Sequence, residues 1–383
     1  GSMKGSKQEE TSENEEQGQT EQSRQTVAEE NDAEQAKTAG NLEVHFIDVG
    51  QGDATLIKCD GHSMLIDAGN NDKGTLVQNY LQHQGVETLD YVIGTHPDAD
   101  HIGGMDVVLY KFDCKTIIMP DVANNTRTYD DVVQTMKNKG YKTTYPVVGE
   151  TYTIGGAAFT IIAPNKEYGN DMNSWSVGVL LQNGNHRFLF TGDAEEGAEQ
   201  DILQNGIDIS ADVYKVAHHG SNTATSQAFL DAVHPTYAVI SAGEGNSYGH
   251  PHAEVLNRLR AAGVSVFRTD EQGTIVAASD GTTLTWNMSP SESWQAGEAE
   301  KSQNTEKSEK AADNQNNAET DAAVSNPTDQ TDGNSDVIVH ITKTGEKYHS
   351  AGCQYLRQSD IEVTLSEAKA KGLTPCSKCN PPQ

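Results

Sequence analysis

The sequence predicts an α/β protein in which two mixed sheets pack together under covering helices, followed by a small α+β module. Residues 41–288 contain regular apolar runs that Gly and Asp interrupt. A strand-rich first half with a few helices is followed by a second half of the same type, as two packed and helix-covered sheets require. Residues 336–383 carry a pattern of their own, with three of the five cysteines. Periodicity alone leaves other α/β arrangements open.

The first half of the central unit begins with short strands that are joined by tight turns. Leu42–Val49 alternates at period two, Gly50–Asp53 is a turn, and the strands Ala54–Cys59 and Ser63–Asp67 follow,. Such short connections predict an antiparallel meander. Helices and buried strands then alternate: Gly74–Gln84, Tyr91–Thr95, Ile102–Tyr110, Thr116–Met119 and Thr128–Asn138.

The second half is predicted to open and close with strands. The predicted strands are Thr151–Ile154, Phe159–Ala163, Ser176–Gln182, Arg187–Thr191, Ala211–Ala217, Tyr237–Ser241, Val264–Arg268, Thr274–Ala278 and Thr282–Trp286. The predicted helices between them are Glu195–Gln204, Ser226–Val233 and His252–Ala262.

Composition divides the chain into four parts. Residues 1–40 and 289–335 each hold ten acidic residues and few apolar ones, so we expect a disordered acidic tail and a disordered linker around the central unit,. The formal net charge is −29, and residues 41–288 contribute 14 basic and 31 acidic side chains. An acidic surface disfavours tight nucleic-acid binding, although a site filled with cations compensates locally.

The termini bear on where the protein acts. No apolar run reaches the roughly 18 residues of a membrane span, and no signal peptide is visible,. The first residues, Gly1-Ser2-Met3, read like an expression-vector scar, which indicates that a native signal or anchor has been removed. We therefore expect an extracellular or surface-anchored protein, with a cytoplasmic location as the alternative.

Four of six consecutive residues can ligate a metal, namely His96, Asp98, Asp100 and His101. They follow a predicted buried strand and precede Gly103-Gly104. Carboxylates crowded at a strand end are costly without a cation nearby. The alternative is a solvated acidic loop with two incidental histidines.

This pattern resembles the metal-binding motif of the metallo-β-lactamase superfamily, which more commonly has a histidine in the place of Asp98. Other stretches resemble, in order and spacing, the branch typified by the C-terminal domain of the DNA-uptake competence protein ComEC. They are His45–Ala54, Leu65–Gly69, Phe190–Asp193, Val216–Ser221 and Tyr248–His252. The resemblance covers about 250 residues and implies the αββα metallo-β-lactamase sandwich.

The resemblance also implies a hydrolase with two divalent metal ions, Zn²⁺ or Mn²⁺, that activate a water. Asp193 would bridge the two ions; its alternative role is to cap the following helix. His218 would complete one metal site. His219 is a second ligand or faces the substrate, and His250 is a ligand, a general acid or a helix cap. The resemblance implies Asp100, His219 and His250 as the catalytic residues.

One departure from the superfamily concerns the usual metal-binding histidine between the first motif and the bridging aspartate. The only histidine of that interval is His186 in a predicted hairpin, and Asn173 stands near the expected place. With Asp98 also replacing a histidine, one site is rich in oxygen, which makes Mn²⁺ or Mg²⁺ more competitive with Zn²⁺. Asn173 and Ser221 are the expected substrate contacts. Asp48 and Asp67 either orient ligands or occupy turns.

The last 48 residues combine a strand, Val337–Ile341, with a helix-like stretch, Leu365–Lys371. His349, Cys353, Cys376 and Cys379 offer the four ligands of a closed zinc site, and a segment this short needs such a staple. A disulfide with a free thiol, or loose cysteines, are the alternatives. The module resembles the Ada-like zinc-binding domain of secreted bacterial nucleases, which implies one structural Zn²⁺.

The favoured function is therefore that of a phosphodiesterase or nuclease, with single-stranded DNA ahead of duplex DNA as the substrate. A small or cell-surface phosphoester, as for a phosphocholine esterase, or a carbonyl compound is the alternative substrate. A non-catalytic binding protein with a degenerate site is the rival from a different class. The oligomeric state is left open.

Overall fold

The computed structural model describes residues 1, 39–298, 338–343, 345–357, 359–379 and 381. The predicted acidic tail and most of the predicted linker lie outside the described residues. Nineteen strands and nine α-helices occur in the described part. None of the helices found there has the length and apolar character needed to cross a bilayer.

The first sheet has eight strands in the order β15-β14-β1-β2-β3-β4-β5-β6. Strands β1 to β3 form the predicted antiparallel meander, whereas β3 to β6 run parallel. The strands are β1 (Leu42–Phe46), β2 (Thr55–Cys59), β3 (His62–Ile66), β4 (Thr88–Ile93), β5 (Asp113–Ile118), β6 (Thr143–Thr144), β14 (Ile275–Ser279) and β15 (Leu284–Trp286).

The second sheet has seven strands in the order β13-β12-β11-β10-β9-β8-β7. Strands β7 to β10 pair antiparallel, and β10 to β13 pair parallel. They are β7 (Thr151–Ile154), β8 (Ala157–Ala163), β9 (Gly178–Asn183), β10 (His186–Phe190), β11 (Val213–Lys215), β12 (Tyr237–Ile240) and β13 (Ser265–Arg268).

The helices of the central unit cover the outer faces of both sheets. They are α1 (Gly74–His83), α2 (Ala99–Ile102), α3 (Met105–Lys111), α4 (Arg127–Lys139), α5 (Glu196–Gln204), α6 (Gln227–Val233), α7 (Ala253–Ala261) and α8 (Thr269–Gln272).

Strand alternation builds the layers of this unit. On β2, Ile57 belongs to the cluster between the two sheets, together with Phe46, Phe159 and Phe188. Its neighbour Leu56 points the other way, into a cluster with the side chains of α1, α3 and α4. A third cluster joins the second sheet to α5, α6 and α7. Successive residues of a strand face opposite sides, so this pattern produces the expected αββα sandwich.

The predicted helix Ile102–Tyr110 is instead two helices, α2 and α3, separated by Gly103 and Gly104. A Cβ on Gly104 would lie 2.3 Å from the carbonyl oxygen of Ala68. The chain therefore passes too close to the backbone after β3 for a side chain there. Periodicity does not reveal such a contact, because it depends on a distant part of the chain.

Two regions flank the central unit. Residues 289–298, which composition predicts as part of the disordered linker, instead pack on the central unit. The Gly297 amide donates to the Pro251 carbonyl, and Arg268 donates to the Gln295 carbonyl. The terminal module has a sheet of order β18-β16-β17-β19 and one helix. Its elements are β16 (Ile338–Ile341), β17 (Lys347–His349), β18 (Ile361–Thr364), α9 (Leu365–Ala370) and β19 (Thr374–Pro375).

Candidate metal centre

Loops from both sheets meet where several strands end. Asp67 follows β3 and His96 follows β4 in the first sheet, while Asp193 follows β10 and His218 follows β11 in the second. The carboxyl ends of parallel strands share one edge of a sheet, so polar groups that follow them come together. The site thus lies between the two halves of the sandwich.

The side chains around Asp193 form two donor sets that share this one carboxylate. In the first set, His96 Nε2 lies 3.5 Å from Asp98 Oδ2 and 3.7 Å from Asp193 Oδ2, and His218 Nε2 lies 3.6 Å from the same oxygen.

In the second set, His101 Nε2 lies 3.1 Å from Asp193 Oδ1. His219 Nε2 lies 3.0 Å from Asp100 Oδ2 and 3.6 Å from Asp193 Oδ2. The structure therefore brings the six residues predicted as ligands together with His219, which the family resemblance implies as a second ligand or a substrate contact. Ligand atoms of His101, Asp193, His219 and Asp53 all lie within 4.8 Å of one another. Asp193 does not cap α5, because the cap position belongs to Glu195.

Each of the four histidines points its Nε2 inward and has a partner at Nδ1. His101 Nδ1 lies 2.8 Å from Asp67 Oδ2, and His219 Nδ1 lies 3.0 Å from the Ser241 carbonyl oxygen. His218 Nδ1 lies 3.1 Å from Glu195 Oε1.

For His96, the tautomer follows from its neighbour. The Thr95 hydroxyl donates to Asp67, so it can only accept from the Nδ1–H of His96 at 3.1 Å. The Nε2 of His96 then carries a lone pair. Nδ1 partners of this kind orient histidine ligands in metal sites.

Several buried polar atoms of this cluster have no hydrogen-bond partner, namely His96 Nε2, His101 Nε2, Asp53 Oδ1 and Asp193 Oδ1. Buried polar atoms are rarely left without a partner, since each costs about 1–3 kcal/mol. Nitrogen lone pairs and carboxylate oxygens that converge in this way suit a divalent cation. The residues of this cluster therefore fit a divalent metal ion.

The electrostatics of the cluster show how strongly its groups interact. Burial lowers the pKa of His101, but Asp193, Asp100 and Asp67 outweigh burial and hold that pKa well above its ordinary value. Burial raises the pKa of Asp193, but His101 and His219 hold it well below the usual range. Carboxylates and imidazoles thus compensate each other in a region with almost no solvent.

Backbone geometry at the site is unusual. His218 and His219 both adopt the left-handed region, with φ of 52° and 56°. Residues other than glycine seldom do so, and such conformations concentrate at functional sites. Gly192 before Asp193 also has a positive φ of 55°, and a Cβ there would lie 2.8 Å from Ser176 Oγ. Only glycine lets Asp193 approach the histidines along this path.

Sequence reasoning missed Asp53 and Lys215. Asp53 Oδ1 lies 3.2 Å from His219 Nδ1, and its other oxygen accepts a hydrogen bond from Lys215 Nζ at 2.9 Å. Both side chains are almost fully buried. The pattern Gly50–Asp53 predicts only a turn. For Lys215, the available signal is a lysine in an otherwise apolar strand.

His250 lies beside the histidine pair, with ring centroids 5.7 Å from His218 and 6.0 Å from His219. Gln51 accepts from Gly243 through its oxygen, so its amide group donates to His250 Nδ1 at 3.2 Å. Burial and the neighbouring histidines lower the pKa of His250 to about 4. At neutral pH it is a neutral imidazole whose remaining proton is on Nε2.

Asn173 and Ser221 are the predicted substrate contacts. The Asn173 amide group donates to Glu195, whose carboxylate lies beside His218. Ser221 is buried and shares a hydrogen bond with Thr223. Asp48 accepts from the amide of Gly50 and therefore belongs to a turn, whereas Asp67 contacts His101.

In the terminal module, His349, Cys353, Cys376 and Cys379 each offer a ligand atom, and these atoms lie within 4.8 Å of one another. Cys376 and Cys379 belong to one Cys-x-x-Cys turn, while His349 ends β17 and Cys353 follows four residues later. Three sulfurs and one imidazole nitrogen make a donor set typical of structural zinc.

Comparison with known proteins agrees with this geometry. The profile of the family described as Metallo-beta-lactamase superfamily matches residues 47–244. ComE operon protein 3 of Bacillus subtilis (strain 168) is 31% identical over 255 residues, which are 61% of this chain and 32% of that protein. Recombination protein 2 of Haemophilus influenzae is 33% identical over 238 residues, 61% of this chain and 28% of that protein. The chain thus spans about a third of the length of these curated relatives.

Among solved structures, the metallo-beta-lactamase fold protein YhfI from Bacillus subtilis aligns over 62% of this chain and 100% of that chain. Its TM-score is 0.44 and its identity 12%, a similarity too low to carry a conclusion. The family match covers half of the chain and includes His96 to His219. This chain belongs to the metallo-beta-lactamase superfamily.

Proposed function

We propose that the central unit is a metal-dependent phosphodiesterase that cleaves nucleic acid and prefers single-stranded DNA to duplex DNA. The observation that carries the proposal is the pair of donor sets that share Asp193. Two cations about 3.5–4 Å apart, held by one bridging carboxylate, are typical of phosphoester hydrolysis. When bound, such cations lower the pKa of a water and polarise a phosphoryl oxygen.

The donor chemistry favours Zn²⁺ or Mn²⁺ in this centre. His96, Asp98 and His218 would hold one ion, and Asp100, His101 and His219 the other, with Asp193 between them. Each set combines imidazole nitrogens with carboxylate oxygens, a mixture that both ions accept. In the terminal module, the three cysteines and His349 would hold one structural Zn²⁺,.

The residues around the centre have separate tasks in this reaction. Asp67, Glu195 and the Ser241 carbonyl fix the rings of three histidines, so that the donor atoms keep their directions. His250 has its Nδ1 occupied by Gln51, which leaves its Nε2–H as a hydrogen-bond donor for a phosphoryl or leaving-group oxygen. Since its pKa is about 4, it acts at neutral pH as a neutral donor.

An aromatic ring at the edge of the centre favours a nucleic-acid substrate. Tyr248 is 65% exposed and stacks on His250, with ring centroids 5.4 Å apart and an interplanar angle of 13°. An exposed ring of this kind can stack on an unpaired base but not on one inside a duplex. The excess of acidic residues in the central unit also disfavours the denser charge of duplex DNA,.

The names of the relatives point in the same direction. One is a ComE operon protein, one a recombination protein and a third, from Neisseria gonorrhoeae, a competence protein. Competence and recombination both involve DNA, which supports DNA as the substrate here.

The test uses the full chain with Mn²⁺ or Zn²⁺ and three substrates in parallel: single-stranded DNA, duplex DNA and bis-p-nitrophenyl phosphate. Cleavage fastest on single-stranded DNA, and reduced at least about 100-fold in Asp193→Asn, supports the proposal. Asp48→Asn is the matched control, because the Asp48 carboxylate accepts from the Gly50 amide of its own turn, and the contact of Asp48 with the Thr274 hydroxyl is made by its backbone amide. No metal-dependent cleavage of any substrate, or equal rates in Asp193→Asn, would refute it.

A further inference from the structure

Two carboxylates from neighbouring helices lie close together on the outer face of the first sheet. Asp106 is in the first turn of α3, and Asp131 is in α4, which packs against α3. Asp106 is only 5% exposed. Burial raises the pKa of its carboxyl group and Asp131 raises it further, while Arg357 opposes both. A buried carboxylate with a second carboxylate beside it is stabilised by a cation.

That cation comes from the terminal module. Arg357 Nη1 lies 2.8 Å from Asp106 Oδ2, and its Nη2 lies 2.8 Å from Asp131 Oδ2. The planar guanidinium thus bridges two carboxylates on two different helices, which the single ammonium group of lysine matches less well. Arg357 directly follows the helical turn Gln354–Leu356, and the zinc-ligand candidate Cys353 directly precedes that turn.

We propose that the terminal module docks on the α3–α4 face of the central unit of the same chain, with Arg357 as its clamp. Charge complementarity supports this. Residues 41–288 carry 31 acidic and 14 basic side chains, whereas residues 336–383 carry five acidic and six basic ones, and Arg357 is their only arginine.

The covalent connection lowers the affinity that the docking interface has to supply. An ion pair at a surface contributes little between separate molecules, about 0.2–1 kcal/mol. Residues 299–337 join the two units, and a joined partner is present at an effective concentration that reaches the millimolar range. A docking free energy of about −4 kcal/mol, equivalent to a Kd of about 1 mM, is then enough to hold the module in place for about half of the time. The contact of Arg357 with the buried Asp106 carboxylate has to supply most of this free energy, because breaking an ion pair with a buried partner costs more than breaking one at the surface,.

Docking at this face has a positional consequence. Asp106 follows the His96–His101 segment closely, since only Gly103, Gly104 and Met105 separate it from the end of α2. The terminal module is thereby held on α3 and α4, which both contact α2, the helix that carries Asp100 and His101. This inference does not depend on the reaction that the central unit catalyses.

Hydrogen exchange on the full chain tests the docking. In Arg357→Glu, amide exchange in residues 105–111 and 127–139 should accelerate about two- to fivefold, the factor expected for loss of a weak ion pair. Small-angle scattering should show a larger radius of gyration. Lys343→Glu is the matched control, because it makes the same change of charge on an exposed side chain of the module. It should leave both measurements unchanged.

A second variant on the opposite side guards against a folding defect in the module. Asp131 is one-third exposed, so Asp131→Arg should fold and should accelerate exchange and expand the chain as Arg357→Glu does. Two results would overturn the proposal. One is that Arg357→Glu and Lys343→Glu behave alike. The other is that the slow amide exchange of residues 105–111 and 127–139 depends on protein concentration, because the contact would then be between two chains.

Discussion

Lys215 Nζ donates to Asp53 Oδ2 at 2.9 Å, and this buried ion pair joins residues 162 positions apart. Lys215 ends β11 of the second sheet, and Asp53 precedes β2 of the first. The other oxygen of Asp53 lies 3.2 Å from His219 Nδ1. The pair thus connects the packing of the two halves to the surroundings of a histidine in the metal centre.

Replacing Lys215 should therefore be costly. In Lys215→Met, the carboxylate of Asp53 stays buried without its cation, and the free energy of unfolding should fall by about 3–5 kcal/mol. Urea unfolding of chelator-treated protein measures this. The double variant Asp53→Asn/Lys215→Met should recover much of the loss, because no uncompensated charge remains. A loss under about 1 kcal/mol in the single variant would contradict the structure.

Asp67 should matter for metal binding. In Asp67→Asn, the hydrogen bond that orients His101 is weakened, and metal affinity should fall about 10–100-fold by calorimetric titration,. Asp67 has a φ of 60°, a conformation that asparagine tolerates, so the backbone should not change,. Asp48→Asn should bind metal like the parent. Equal affinities of the two variants would show that Asp67 does not position His101.

Glu199 should give stability a measurable pH dependence. Burial raises its pKa to about 7, even though the Thr225 and Ser226 amides donate to it. In the unfolded chain the same group titrates near 4.5. Its contribution to stability is therefore complete below pH 4.5 and is lost as the pH rises to about 7, a loss on the order of 3 kcal/mol.

Denaturant unfolding at several pH values from 5 to 7 measures this effect. In Glu199→Gln, the free energy of unfolding should fall less steeply with pH. The difference between the two slopes should correspond to about one proton released on unfolding. Parallel curves for the parent and the variant would exclude Glu199 as the titrating group.

Tyr248 should affect DNA more than small substrates. Tyr248→Ala removes a base-stacking surface, worth about 1–3 kcal/mol per base, so KM for single-stranded DNA should rise about 5–150-fold. Turnover of bis-p-nitrophenyl phosphate should stay near the parent value. Tyr110→Ala is the control, because Tyr110 is equally exposed, at 64%, but lies on α3. If both variants have the same KM for DNA, Tyr248 does not stack on the substrate.

Loss of one cysteine should empty the terminal module without affecting the central unit. In Cys379→Ser, zinc content should fall by about one equivalent per chain, since a closed site needs all four ligands,. Ser377→Ala changes an exposed residue of the same turn and should keep its zinc. Metal analysis of the two purified proteins decides this, and equal zinc contents would argue against a zinc site there.

Local patterns predicted much of the fold and of the site. The meander and the His96–His101 segment are encoded in neighbouring residues, so periodicity and spacing revealed them, whereas the layers followed from the family resemblance. Lys215 and Asp53 were missed because each looks ordinary in its own segment and they meet only in the folded chain. The break at Gly103–Gly104 depends on the close approach of Ala68, and the contact of Arg357 with Asp106 joins two units of the chain.

The donor atoms around Asp193 come from both sheets, from His96 to His219, and this affects how the protein is made. While the ribosome is synthesising the second sheet, the first donors are already present but lack their partners. A cation in this centre would therefore find its full set of donors only late in synthesis, after His219 has emerged. The donors of the terminal module all lie between His349 and Cys379, so that module needs only a short segment to load its metal.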